Sequence, residues 1–280
     1  MKLPEQVGVY GGGRMGAGIA YAFLLRACAV VVVEVGDGAA TAAAARIAAS
    51  VAKAAERGAF DAPVDSVLEP LTVSADPAAL AGCDLVIEAV PEDVDLKASV
   101  LSRVEGIALQ AVLATNTSSL SIDGLASNLS RPQQFLGLHF FNPVPVSELV
   151  EIVVGTATDA KVVRSAQEWV LALGKTPITV SDAPGFASSR LGVAIALEAM
   201  RMLESGVASA EDIDLAMTLG YKHPMGPLRT TDVVGLDVRL AIAEHLAREL
   251  GPRFTPPDIL QDKVTRGELG RKTGQGFYRW

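Results

Sequence analysis

The chain is poor in the residues that usually declare chemistry. Aromatic side chains make up 5% of its 280 residues, and it has only three histidines and two cysteines. With so few aromatics the core must be built from Ala, Val, Leu and Ile, and hydrophobic residues at 50% supply it. Cys28 and Cys83 lie in or beside apolar segments and read as reduced, buried thiols, not as a disulfide. Three histidines and two distant cysteines offer no metal-ligand spacing, so no metal is expected. Basic residues are in deficit, 24 against 32 acidic. The net charge of −8 speaks against nucleic acid as a partner, although an anionic small molecule needs only a local basic patch. Long apolar runs are missing too: Ala17 to Val33 is split by Arg26 and is shorter than the ~20 residues that span a bilayer. Met1 to Gln6 leads directly into the first apolar run, so no signal peptide is expected and the expected compartment is the cytoplasm.

What the chain does have begins at Val7. A short β run enters Gly11-Gly12-Gly13-Arg14-Met15-Gly16, which spells G-x-G-x-x-G, and a helical pattern from Ala17 to Leu25 follows at once. Each glycine has a mechanical reason: Gly11 for the tight turn, Gly13 for close approach of a pyrophosphate, Gly16 for helix-strand packing. The pyrophosphate then meets the unpaired N–H groups and positive end of the helix, beside Arg14 and Met15. A second strand, Val30 to Val33, ends in Glu34, eighteen residues after Gly16, where a carboxylate holds a ribose 2′-hydroxyl and repels a 2′-phosphate. No Arg or Lys occurs between Glu34 and Arg46, so the pattern predicts NAD and not NADP.

Strand and helix patterns alternate over the first two thirds. Helices are expected at Gly38 to Gly58, Asp95 to Val104, Ile122 to Ala126 and Ala160 to Leu173. Strands are expected at Leu71 to Val73, Leu85 to Val90, Ala111 to Thr115, Phe135 to Leu138, Leu149 to Val153 and Ile178 to Val180. The almost continuous apolar run at Leu85 suits a strand buried on both faces of a parallel sheet. Ligands bind beyond the carboxyl ends of such strands. Standing there are Gly11, Glu34, Pro91-Glu92, Asn116-Thr117-Ser118 and His139. His139 ends one apolar run before a turn set by Pro143 and Pro145, and Glu151 lies inside the next run, a pairing that makes a general base with an orienting carboxylate.

From Pro184 the β signals stop. Ser188 to Gly206, Ala210 to Leu219 and Asp232 to Leu250 read as helices, the last with Val234, Val238, Ile242 and Leu246 on one face. The expectation is an α/β fold: an N-terminal Rossmann-type doubly wound sheet over 1–183, carrying the His/Glu pair, with an all-helical C-terminal domain over 184–280. Apolar helices in so small a domain often bury a face against a partner subunit, so a homodimer is expected.

At this point the residues resemble the L-3-hydroxyacyl-CoA dehydrogenase family, of the bacterial 3-hydroxybutyryl-CoA dehydrogenase type. The matching segments are VGVYGGGRMGAGIA, DLVIEAVPED with Lys97, TNTSSLSI, GLHFFNPVP, DAPGF, EDIDLAMTLGYKHPMGP and GRKTGQGFY, which span essentially the whole chain. The resemblance implies NAD-linked oxidation of the (S)-3-hydroxyl of an acyl-CoA to a ketone, or the reverse, as in fatty-acid β-oxidation. It implies that His139 is the catalytic base, with Glu151 holding the other imidazole N–H. Ser118 would hydrogen-bond the substrate oxygen, and Asn142 would stand near both nicotinamide and histidine. Glu92, Lys97, Asn116 and Lys272 would lie on the cofactor side, and Ser50, Lys53 and Arg57 on the helix where CoA phosphates bind.

One position departs from the family pattern. Where the family has Asn-Arg after Pro-Gly-Phe, this chain reads Ser189-Arg190, so a shorter side chain stands where an amide would contact the substrate near its reacting carbons. A pocket rebuilt for a substituted or dicarboxylic acyl group is the expected consequence. Blander roles are read elsewhere. His223 and His245 read as structural, Trp169 and Trp280 as packing residues, Glu244 to Glu249 as a solvated face, and Ser118-Ser119 as a cap for the helix near Ile122. Two other functions stay open: an NAD-dependent dehydrogenase of a free short hydroxyacid or polyol, and a non-catalytic NAD-binding structural or sensing protein. Retention of His139 together with Glu151 argues against the second.

Overall fold

The computed structural model describes residues 3–280; of the amino-terminal stretch read as leading into the first strand, Met1 and Lys2 lie outside the described residues. The chain divides into two compact units, one ending at Asp182 and the other running Ala183–Trp280.

The first unit is a single eight-stranded sheet in the order β3-β2-β1-β4-β5-β6-β7-β8. Its strands are β1 (Gln6–Tyr10), β2 (Ala29–Val33), β3 (Leu71–Ser74), β4 (Leu85–Glu88), β5 (Val112–Thr115), β6 (Phe135–Phe140), β7 (Leu149–Val154) and β8 (Thr176–Ser181). The first six run parallel, as the alternation predicts. The β6–β7 pairing is antiparallel and β8 follows β7, so the last two strands run against the rest. The reversal has a local cause: β6 and β7 are joined by a short proline-containing turn, with no crossover helix that would bring the chain back to the same edge.

Helices cover the sheet. They are α1 (Arg14–Leu24), α2 (Asp37–Glu56), α3 (Val64–Leu68), α4 (Val94–Ile107), α5 (Ile122–Ala126) and α6 (Ala160–Ala172). Alanine, the best helix former, fills α2, and Ala40, Ala43, Ile47, Val51 and Ala54 form its buried stripe at helical spacing. Asp93 caps α4 by accepting the Leu96 N–H, and Asp159 caps α6 through Lys161 N–H. The core joins β1, β2 and β4 to α1 and α2, with Val7, Val9, Ile19, Val30, Val32, Ile47 and Ile87 all fully enclosed. Cys28 and Cys83 are buried free thiols, and burial pushes Cys83 up to about 12.

The second unit is helical: α7 (Ser188–Glu204), α8 (Ala210–Leu215), a π-helical turn over Ala216–Gly220, α9 (Pro227–Val234), α10 (Leu236–Leu250) and α11 (Asp258–Thr265). The single helix expected over Asp232 to Leu250 is in fact two. Gly235 takes φ +109, closed to most side chains, and separates α9 from α10. The expected apolar face is also displaced. Val234 and Val238 are each 41% exposed, and the inward stripe of α10 is Leu236, Arg239, Ala243 and Leu246. Among the described residues no helix is long and apolar enough to cross a membrane.

Candidate active site

The glycine turn joins β1 to α1. Gly11 takes φ +98, and a Cβ there would stand 2.9 Å from Ala89 O; a Cβ on Gly16 would run into the Gly11 carbonyl oxygen. Gly13 is the opposite case: it is exposed, and a built Cβ meets nothing within 4 Å. That open ground lies at the start of α1, which has neither a side-chain cap nor an acidic residue in its first turn. Arg14 is exposed there and Met15 is half-buried. A diphosphate fits such a cradle. At the end of β2, Glu34 Oε1 accepts the Gly12 N–H at 2.7 Å, so this carboxylate is tied to the glycine turn. Arg46 completes the brace by donating to Gly12 O at 2.9 Å. NAD, when bound, supplies the hydride acceptor at this edge.

Across the sheet, at the same edge, the antiparallel register places His139 directly opposite Glu151. The imidazole Nδ1 lies 2.8 Å from Glu151 Oε2, with Glu151 fully enclosed and His139 only 6% exposed. Phe141 packs against the imidazole at a tilt, with ring centroids 4.3 Å apart and planes at 43°. Asn116, at the end of β5, accepts the Phe140 N–H at 2.9 Å and so ties the next strand end in place beside His139. Asn142 is exposed in the following turn, before a cis bond to Pro143. Lys175 anchors that turn by donating to Val144 O and Ser147 O at 2.7 and 2.5 Å. Burial holds the Lys175 ammonium below the usual lysine range, against the pull of Glu148.

Ser118 belongs to a loop gathered by one carboxylate. Glu92 Oε1 accepts the hydroxyls of Thr117, Ser118 and Ser119 and the N–H groups of Ser118 and Ser119, at 2.6 to 3.3 Å. Burial pushes the Glu92 carboxyl up, but Lys97, the Thr117 hydroxyl and the Ser118 N–H outweigh it and hold it below the usual carboxylate range. Lys97 itself is 1% exposed: its ammonium bonds Glu88 at 2.7 Å and Val90 O at 3.2 Å and pairs with Glu92 at 3.4 Å. It therefore stands behind the loop and not on its surface. Glu88 also accepts from Thr115 Oγ1 at 2.6 Å and Val90 N–H at 2.7 Å. Sequence reasoning placed Thr117 at the strand end without giving it a role, and missed Glu88 and Lys175; a charged residue inside an apolar run was the only signal for Glu88. The cap read at Ser118-Ser119 is instead Ser121, whose hydroxyl accepts the Gly124 N–H.

On α2, Lys53 and Arg57 are exposed one turn apart, while the Ser50 hydroxyl bonds Arg46 O within the helix. Two further residues of interest belong to the second unit. Ser189 is half-buried in the first turn of α7, and Lys272 is paired with Asp237 at 2.5 Å.

An open glycine turn, an acid at the end of the next strand and an opposed His–Glu pair at one edge of a Rossmann-type sheet define an NAD-dependent oxidoreductase. The chain belongs to the 3-hydroxyacyl-CoA dehydrogenase family: its NAD-binding domain matches residues 6–183 and its C-terminal domain residues 185–280. The chain is 41% identical to the 3-hydroxybutyryl-CoA dehydrogenase of Mycobacterium tuberculosis, over 99% of this chain and 98% of that protein. Against the mitochondrial hydroxyacyl-coenzyme A dehydrogenase of Sus scrofa it is 38% identical, over 99% of this chain and 92% of the other. The crystal structure of (S)-3-hydroxybutyryl-CoA dehydrogenase PaaH1 from Ralstonia eutropha superposes with a TM-score of 0.95 at 39% identity, covering 99% of each chain.

Proposed function

We propose that this enzyme oxidises the (S)-3-hydroxyl of a short-chain or dicarboxylic acyl-CoA to a 3-ketone, or runs the reverse reduction, with His139 as general base. The observation that carries this reading is the 2.8 Å contact between His139 Nδ1 and Glu151 Oε2 at the sheet edge that holds the glycine turn. With Nδ1 committed to the carboxylate, Nε2 is the nitrogen that takes the hydroxyl proton, and Glu151 stabilises the imidazolium that results. Ser118 bonds the substrate oxygen from a loop that Glu92 and Lys97 stiffen, and Asn142 stands at the nicotinamide end. Gly11, Gly13, Arg14, Met15, Gly16 and Glu34 hold the diphosphate and ribose, with Asn116 and Lys272 supporting the cofactor side. Lys53 and Arg57, with Ser50, receive the CoA phosphates on α2. Ser189 contacts the acyl group.

We place the enzyme in the cytoplasm as a homodimer with neither nucleic acid nor membrane as a partner. Two buried free thiols suit a reducing compartment. The second unit exposes large apolar side chains that a partner copy would cover, Leu191 at 64%, Leu219 at 66% and Tyr221 at 76%.

The test is NADH formation from NAD and (S)-3-hydroxybutyryl-CoA beside free (S)-3-hydroxybutyrate. Turnover of the thioester alone is expected. Turnover of the free acid would transfer the reading to a short hydroxyacid dehydrogenase.

A further inference from the structure

The turn between β6 and β7 carries Asn142 and is fastened from behind by one side chain. Phe141, where the turn begins, packs on the His139 imidazole, so the peptide that follows stands beside the histidine. The turn closes on itself once: the Val146 and Ser147 N–H groups both donate to Pro143 O, at 3.1 and 3.0 Å. That is a single helical turn, whose later carbonyls have no following N–H of the same turn to accept from. Lys175, immediately before β8, takes two of them. Its ammonium donates to Val144 O at 2.7 Å and to Ser147 O at 2.5 Å, as a lysine does at the end of a helix.

The surroundings explain why such a tether is needed. Val144 is 2% exposed and lies on α1 at Gly18, where a built Cβ would come within 2.8 Å of Val144 Cβ. That contact fixes one point of the turn. Behind the rest lies open space in place of packed core. A cavity of about 390 Å³ opens there, lined by the backbone stretch 144–148 together with Tyr21, Arg26, Phe60 and Lys175. On the other side Pro145 and Val146 are exposed. A segment with solvent on one side and a cavity on the other gains little rigidity from packing, so directional bonds must supply it. The ammonium is half-buried to make them, and burial is what lowers its affinity for the proton.

We infer that Lys175 is a positioning residue for the oxidation: by holding the Val144 and Ser147 carbonyls it fixes the β6–β7 turn and, through it, Asn142. This rests on the reading of Asn142 as a residue at the nicotinamide end of the site. Lys175 itself takes no part in proton or hydride transfer, because its ammonium is committed to the two carbonyls. A misplacement of about 1 Å in a group that orients reacting partners costs about 10²-fold in rate. Loss of the tether therefore falls on turnover and not on binding. Methionine in place of Lys175 keeps an unbranched stem of similar reach, so it removes the two bonds and leaves the packing.

The test is steady-state turnover of (S)-3-hydroxybutyryl-CoA with NAD by Lys175→Met, Lys175→Arg, Asn142→Ala and the Lys175→Met/Asn142→Ala double variant. Folded sites are counted by NAD titration, so that kcat is expressed per competent site. Lys175→Met is expected to lower kcat about ten- to a hundredfold, while KM for each substrate moves by less than about threefold. Lys175→Arg should recover part of the loss, since its fork can reach both carbonyls and the cavity has room for it. In the Asn142→Ala background, Lys175→Met should cost less than about twofold, because the group it positions is already gone. A merely structural lysine would lower the melting temperature or the count of folded sites and leave kcat per site unchanged, which overturns the inference. Losses that multiply in the double variant overturn it too, as does an Asn142→Ala enzyme as fast as the wild type; both outcomes leave the reaction class standing. A wild type that binds NAD but turns over no 3-hydroxyacyl-CoA would overturn the reaction itself, and this inference with it.

Discussion

His139 and Glu151 are twelve residues apart in the chain and directly opposite in the sheet. On the proposed mechanism His139 is the base, and a base so placed loses its function with its side chain, not with the fold. His139→Gln is expected to lower kcat by about 10²–10⁴-fold while NAD binding, read by fluorescence titration, is retained. Glu151→Gln should lower kcat less, and the double variant should fall no further than His139→Gln alone, because the two residues act as a unit. Additive losses would show that they work separately. Both residues were legible in the sequence, since a histidine and a carboxylate interrupt adjacent apolar runs around a turn with two prolines. Lys175 was not legible: it reads as one more charge before a strand, and only the folded unit shows its ammonium beneath the turn.

At the scale of elements, the glycine turn divides into positions that serve the fold and one, Gly13, that the proposal gives to the ligand. Gly16→Ala forces a Cβ against the Gly11 carbonyl and should destabilise the apoprotein markedly. Gly13→Ala meets nothing, at φ −63, so its melting temperature should stay near that of the wild type. Its affinity for NAD should nevertheless drop about tenfold or more, as expected where a methyl meets an approaching diphosphate. Calorimetry on both variants separates the two roles. Behind the Ser118 loop, Lys97→Met leaves Glu88 buried and unpaired, and denaturant unfolding should show a loss of about 3–5 kcal/mol. Lys97→Met combined with Glu88→Leu should recover part of it. Glu92 adds a pH dependence. Its carboxyl lies below the usual 4.5 in the folded chain, so its contribution to stability is present above that value and fades as pH falls through the folded one. The stability gap between wild type and Glu92→Gln should therefore close on acidification below about pH 4.5; a constant gap would contradict the pairing. Glycine spacing shows in the sequence because it reports local sterics, whereas the Glu88–Lys97–Glu92 network depends on which strands become neighbours.

For the whole molecule, the apolar surface of the second unit has a measurable consequence. Leu191→Glu, at a position 64% exposed, should convert a dimer to a monomer in sedimentation experiments. A wild type that sediments as a monomer would remove the homodimer from the proposal.

Composition and periodicity by themselves determined an α/β sheet with a helical partner unit, the NAD-type glycine turn with its acid, and the histidine–glutamate pair. Those features follow from rules that act over a few residues: alternation, helical spacing, glycine sterics, the stiffness of proline. Only the tertiary structure decided that β7 and β8 run against the other six strands, that Gly235 breaks the expected long helix, and that α10 turns Arg239 inward in place of Val234 and Val238. Each is settled by long-range packing, since which face of a helix is buried and which charge finds a partner depend on elements far away in the chain.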